Sequence, residues 1–183
     1  MQAILTLLLL LPATVPGNGE RSRSTSPDET LHLALSVTTS QHEYRMKDDV
    51  RLETQLTNTG NRVLYLFDEP CWNLLNVQVF TTDGEKVTGK PDFIRECLPP
   101  PPRPNDRSRF TRLGPGDVHR VTQKFGITEL VPKPGEYDIV LLYRSDLSDE
   151  WVHKYGGKKM TALPIWTSEQ PVLKSNRLHL VVK

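Results

Sequence analysis

Three aromatic residues, Trp151, Tyr155 and Trp166, lie in a long segment, residues 146–171, in which apolar residues show weak periodicity. Long connecting segments in compact domains often carry function. Aromatic side chains at the ends of β-sandwiches can stack on sugars or anchor a protein partner. The alternative is structural, with Trp151 and Trp166 covering an open end of the fold.

The neighbours of each tryptophan differ. Trp151 and Tyr155 stand among charged residues, which are Asp149, Glu150, Lys158 and Lys159. Trp166 follows Leu163, Pro164 and Ile165, a run typical of packing. We therefore expect Trp151 and Tyr155 at a surface that binds a partner and Trp166 in the core. Trp151→Ala should then change stability by roughly 0.5 kcal/mol or less, and Trp166→Ala should cost about 3–5 kcal/mol.

The sequence carries no recognisable catalytic constellation. None of the five histidines lies three or four positions from another, and neither His-Glu-x-x-His nor Gly-x-Ser-x-Gly occurs. Asp146, Asp149 and Glu150 offer oxygen ligands but lack the order of a calcium-binding loop, so a polar loop is favoured. We expect a non-enzymatic protein without cofactor or metal, although a site assembled from distant residues leaves no such pattern.

The two cysteines, Cys71 and Cys97, are predicted to form a disulfide. Their number is even, they lie 26 positions apart, and no Cys-x-x-Cys spacing indicates a metal site. Such a bridge stabilises by roughly 3–4 kcal/mol in the chain-entropy treatment. Two free thiols or a metal pair are the alternatives.

A Pro-rich stretch, residues 98–104, follows Cys97 and predicts a stiff polyproline II connector. It could instead dock into an aromatic groove. Arg103, Arg107, Arg109 and Arg112 come at spacings of two to four. Asp106 interrupts this group, which favours a solvated edge over polyanion binding.

The N-terminal residues predict export. Residues 3–11 read AILTLLLLL, too short for a membrane-spanning helix and typical of the apolar part of a signal peptide. We assign residues 1–17 to a signal peptide and residues 18–30, which lack any large apolar side chain, to a flexible polar leader. The expected location is secreted or periplasmic, with no membrane span in the mature form.

The length of the remaining chain, residues 31–183, predicts one domain. The 23 basic and 22 acidic residues give a net charge of +1, which argues against a nucleic-acid partner. The 15 Pro and 11 Gly in 183 residues are close to average usage and exclude collagen-like and low-complexity classes.

Apolar residues recur with a period of two, which predicts strands. The stretches with this pattern or with short apolar runs are residues 31–37, 50–56, 63–67, 77–79, 118–125, 137–143 and 178–182. Turn signals such as Asn58-Thr59-Gly60-Asn61 separate them. The longest helical candidate, residues 127–131, is stopped by Pro132 within about one turn. The pattern predicts an all-β, antiparallel, immunoglobulin-like sandwich of about seven or eight strands, with a long loop before the last strand.

Several segments resemble known modules. Leu130 followed by Pro134-Gly135-Glu136-Tyr137 resembles the tyrosine corner of immunoglobulin-like and fibronectin-type domains. Residues 47–60, together with the turns at Asp83-Gly84 and Gly114-Pro115-Gly116, resemble bacterial immunoglobulin-like modules, including the intracellular proteinase inhibitor (BsuPI) family. The resemblance implies a β-sandwich and, for that family, protease inhibition.

These observations predict an exported interaction or accessory module whose partner is another protein or an envelope or extracellular component. Trp151 and Tyr155 are the candidate binding residues. The alternative function is a protease inhibitor that presents the Pro-rich loop after Cys97.

Overall fold

The computed structural model describes residues 31–68, 73–87 and 105–183. The predicted signal peptide and leader lie outside these residues, as do Cys71, Cys97 and the Pro-rich stretch. The predictions made for them, including the disulfide and the inhibitory loop, therefore stay predictions.

The described residues form eleven strands, three short α-helices and one 3₁₀ turn, Arg107–Arg109. The strands are β1 (Leu33–Thr38), β2 (Glu43–Tyr44), β3 (Asp49–Asn58), β4 (Leu64–Phe67), β5 (Asn73–Thr81), β6 (Phe110–Leu113), β7 (Val118–Gly126), β8 (Gly135–Ser145), β9 (Ile165–Trp166), β10 (Leu173–Lys174) and β11 (Leu178–Val182). The helices are α1 (Ile127–Leu130), α2 (Asp149–Tyr155) and α3 (Gly157–Thr161). No helix among the described residues is long and apolar enough to cross a bilayer.

The described strands form three sheets, and two of them supply most of the main core. One has the order β1-β3-β7 and is antiparallel throughout. In the other, β5 pairs antiparallel with one edge of β8, while β10 and β11 pair with the opposite edge and β2 adds parallel to β11. The predicted antiparallel sandwich is confirmed.

Alternation along the strands fills the space between these sheets, because successive side chains of a strand point to opposite faces. In β3, for example, Val50, Leu52 and Leu56 are buried while Arg51 and Glu53 are exposed. The inward faces of β1, β3, β8 and β11 supply most of the main core, which also includes Trp166. Burial of Trp166, 2% exposed, agrees with the expectation from its apolar neighbours.

A tyrosine corner marks the entry to β8. The Tyr137 hydroxyl donates to the backbone oxygen of Lys133 at 2.9 Å, and the ring is buried. This is the feature that immunoglobulin-like sandwiches use to fix the connection into a late strand. It agrees with the interpretation of residues 130–137 and supports the immunoglobulin-like class.

The segment before β11 differs from the predicted long loop, since it contains two helices and two short strands. Ser148 caps α2, its Oγ accepting from the Trp151 backbone N–H at 3.2 Å. Gly157, with φ of 68°, provides the left-handed residue at which the chain turns from α2 into α3. We call residues 149–161 the helical segment.

The helical segment rests on a second core. Its members are Tyr65, Phe67, Phe110, Leu147, Val152, Met160 and Ile165. Val152 from α2 and Met160 from α3 are each less than 5% exposed. They cover the small sheet of order β6-β4-β9, in which β9 returns the chain parallel to β4.

Candidate functional site

The predicted binding residues meet on the helical segment. Trp151 and Tyr155 are four positions apart in α2, the spacing that places two side chains on the same side of a helix. Their ring centroids are 4.8 Å apart and the ring planes are tilted by 35°. We call these two residues the aromatic pair.

The two members of the aromatic pair differ in exposure. Tyr155 is 43% exposed, one of only two large hydrophobic residues so exposed in the described part of the chain. Trp151 is half-buried and packs against the second core. The expectation of a surface position therefore fits Tyr155, whereas Trp151 is also a packing residue.

Charged neighbours surround the aromatic pair. The Lys154 ammonium lies 5.1 Å from the centroid of the Tyr155 ring, within the range of a cation–π interaction. The hydrogen-bonding interaction with the Tyr155 phenol, helped by the charge of Glu150, raises the pKa of Lys154. Asp149 and Glu150 occupy the first turn of α2, where negative charge is favoured by the helix dipole.

The start of α2 is held by two side chains. Besides the Ser148 cap, the Glu169 carboxylate accepts from the Asp149 backbone N–H at 3.1 Å. Burial alone would raise the pKa of Glu169, but the interaction with the Thr167 side chain and the hydrogen bond from the Asp149 backbone N–H outweigh it and lower this pKa. The aromatic pair thus projects from a helix whose first turn is fixed.

A pocket of about 360 Å³ opens beside the helical segment. It is lined by Asn105, Arg107, residues 156–160 and Leu163. Lys158 and Lys159, noted in the sequence as neighbours of Tyr155, are among these lining residues. We call it the basic pocket.

A polar cluster that the sequence analysis did not identify lies where β4, β6 and β7 meet. The Asp68 carboxylate accepts from the Thr111 hydroxyl at 2.8 Å and lies 3.9 Å from Nε2 of His119. Burial, together with the negative charge of Asp68, raises the pKa of the Tyr143 phenol. Residues so far apart in the chain carry no sequence signal, because only the strand pairing brings them together.

Metal-ligating residues are not grouped in the described residues, where no three His, Cys, Asp or Glu side chains are placed to hold a metal ion. Asp146, one of the three oxygen donors considered above, instead pairs with Arg144 at 3.2 Å. Asp149 and Glu150 belong to the first turn of α2.

No protein-family model and no curated protein matches this chain. Among solved structures, the chain is similar to the CARDB domain of the PF1109 protein from Pyrococcus furiosus (11% identity, 85% of this chain and 90% of that one, TM-score 0.37). It is also similar to Spo0M, a sporulation control protein from Bacillus subtilis (8% identity, 82% of this chain and 49% of that one, TM-score 0.40). A third is the β-glucosidase EmGH1 from Erythrobacter marinus (16% identity, 84% of this chain and 16% of that one, TM-score 0.35).

The sheet pairing and the tyrosine corner define the fold class of this protein. It is an immunoglobulin-like β-sandwich that carries a short helical segment on a second core. No family model matches the chain, so the resemblance to the BsuPI family stays a prediction.

Proposed function

We propose that this protein is a non-enzymatic, exported interaction module that binds a protein partner through the aromatic pair of its helical segment. The observation that carries the proposal is the exposed Tyr155 ring held against Trp151 at a centroid distance of 4.8 Å. Tyrosine and tryptophan dominate the energetic centres of protein interfaces, because they bury a large area and lose few torsional degrees of freedom.

The support for Tyr155 makes it a suitable anchor. Trp151 packs on the second core, and the first turn of α2 is capped by Ser148 and Glu169. A side chain that is ordered before binding loses less conformational entropy when the partner arrives. The exposed ring is thus presented in a defined orientation by a fixed helix.

Export and the absence of catalysis belong to the same proposal and rest on the sequence. The apolar run of residues 3–11 supports export, and an oxidising compartment would suit a Cys71–Cys97 disulfide. The lack of any catalytic or metal-binding motif favours a binding role.

The experiment compares capture by matched variants. The full chain, purified after export, is immobilised and incubated with the extracellular or envelope fraction of its source cells, and retained proteins are quantified by mass spectrometry. Tyr155→Ala removes the exposed ring. Val172→Ala is the control, because Val172 is the other large exposed hydrophobic residue of the described part, at 47%.

The proposal expects one protein that is retained by the wild type and by Val172→Ala and is reduced about tenfold or more by Tyr155→Ala, as for a hot-spot residue. Equal retention of every protein by all three forms would contradict it.

A further inference from the structure

The basic pocket contains three cationic side chains, Arg107, Lys158 and Lys159. No carboxylate is among the described residues that line it. The adjacent acid in sequence, Asp106, is committed elsewhere: its carboxylate accepts from the Ser108 hydroxyl at 2.6 Å and the Ser108 backbone, and it pairs with Arg109 at 3.5 Å. Among the described residues that line the pocket, no acidic side chain therefore balances this positive charge.

Arg107 is held in place by Tyr65. Its Nη2 donates to the Tyr65 hydroxyl at 2.9 Å, and its guanidinium carbon lies 5.5 Å from the centroid of the Tyr65 ring. Tyr65 is itself a buried member of the second core. A guanidinium fixed in this way retains further N–H donors and suits the planar, two-oxygen geometry of a carboxylate.

A second depression on the surface differs, because its lining contains a carboxylate as well as cations. It is lined by Asp49, Arg51, Thr122 and Lys124 on the β3–β7 surface. Here the Lys124 ammonium lies 2.7 Å from the Asp49 carboxylate, so one of the two cations already has a partner within the wall. The basic pocket has no such internal partner in the described residues.

Met160 and Leu163 add apolar side chains to the lining of the basic pocket. Its volume of about 360 Å³ exceeds that of a single inorganic ion and falls in the range of small-ligand sites. A lining that combines cationic and apolar side chains matches the chemistry of a carboxylate on a short methylene chain.

We propose that the basic pocket binds the carboxylate of an acidic side chain, glutamate above all, in the partner protein. This inference rests on the proposed function, since it assigns the partner an acidic segment that lies beside the aromatic pair. Arg107 receives the carboxylate, Lys158 and Lys159 add charge, and Met160 and Leu163 contact the methylene groups.

Glutarate, the dicarboxylate with a glutamate-like chain, is the probe. It is titrated into the full chain at constant ionic strength while the backbone amides of residues 156–160 are followed by ¹H–¹⁵N NMR. Glutaramide is the uncharged control and inorganic phosphate the control for non-planar anions. We expect saturable shifts at these amides with glutarate, none with glutaramide, and weaker binding of phosphate.

Variants locate the binding site. Lys158→Gln/Lys159→Gln and Arg107→Gln should each weaken glutarate binding about tenfold, the loss expected for one charge-assisted hydrogen bond. If Arg107→Gln disturbs the packing of Tyr65, the double lysine variant still tests the pocket, because both lysines are exposed. Arg51→Gln, in the second depression, should leave the affinity unchanged.

Absence of saturable shifts, equal shifts with glutaramide, preference for phosphate, or an equal loss with Arg51→Gln would each overturn the inference. Its failure is distinct from that of the proposed function. The NMR titration needs no partner, whereas the Tyr155→Ala comparison does not depend on any anion.

Discussion

The main core and the second core are built from different structural elements. The main core lies between two sheets, and its apolar residues alternate along long strands such as β3 and β8. The second core gathers residues from strand ends, from α2 and α3, and from the two-residue strand β9. The first arrangement stabilises the sandwich, and the second holds a short helical segment against one end of it.

Under the proposed function, this difference separates stability from partner binding. The buried residues of the main core are at most 7% exposed, so they offer almost no surface to a ligand. The helical segment has a buried side, with Val152 and Met160, and a side that presents Tyr155 to solvent. Substitutions in the main core should therefore reduce mainly stability. Substitutions on the exposed side of the helical segment should reduce mainly binding.

The largest stability loss is expected in the main core. Trp166→Ala removes a ring that is 2% exposed and should lower the free energy of unfolding by about 3–5 kcal/mol. Urea unfolding followed by circular dichroism measures it. Trp166→Phe is the matched control, since it keeps a ring and removes an indole N–H that has no hydrogen-bond partner in the described structure. Trp166→Phe should lower the free energy of unfolding by clearly less than Trp166→Ala. Equal losses from the two variants would show that core packing does not cause the effect.

An intermediate loss is expected where the two regions join. Trp151→Ala removes a half-buried ring from the edge of the second core and should cost about 1–2 kcal/mol, more than the value of about 0.5 kcal/mol expected from the charged neighbours in the sequence. The same unfolding experiment checks this. A loss as large as that of Trp166→Ala would make Trp151 a core residue and remove the distinction between the regions at this position.

The smallest effect concerns pH. The pKa of Glu169 is lowered in the folded protein, so its contribution is fully present above the unfolded value of 4.5 and is lost as the pH falls through the lower folded value. Because the carboxylate is largely exposed, Glu169→Gln should cost about 0.5 kcal/mol or less at neutral pH. Unfolding of both proteins between pH 7 and pH 3 should show this difference shrinking as the medium becomes acidic. A difference that grows toward low pH would contradict the assignment of Glu169 to the first turn of α2.

The sequence predicted the sandwich well because a strand with one buried face repeats its apolar residues every second position. β1, β3, β7, β8 and β11 all lie where that pattern occurs. The helical segment was missed because α2 and α3, at seven and five residues, are too short to show a helical period. Their burial depends on Tyr65 and Phe110, which are distant in the chain.

The candidate site was predictable in part for the same reason. Charged neighbours on both sides of Trp151 and Tyr155 indicated a surface, and that signal is local. The basic pocket and the Asp68 cluster join residues from separate elements, as with Arg107 and Lys158. Neither leaves a motif, because the fold rather than the spacing creates the proximity.

The central claim is that the helical segment serves binding while the main core serves stability, and Tyr155→Ala tests it most directly. Its free energy of unfolding and its retention of the partner are measured on the same preparation. We expect the free energy to stay within about 0.5 kcal/mol of the wild type, as for a surface position, while retention falls about tenfold or more. Unchanged retention, or a fall in retention that is matched by a large loss of stability, would contradict the claim.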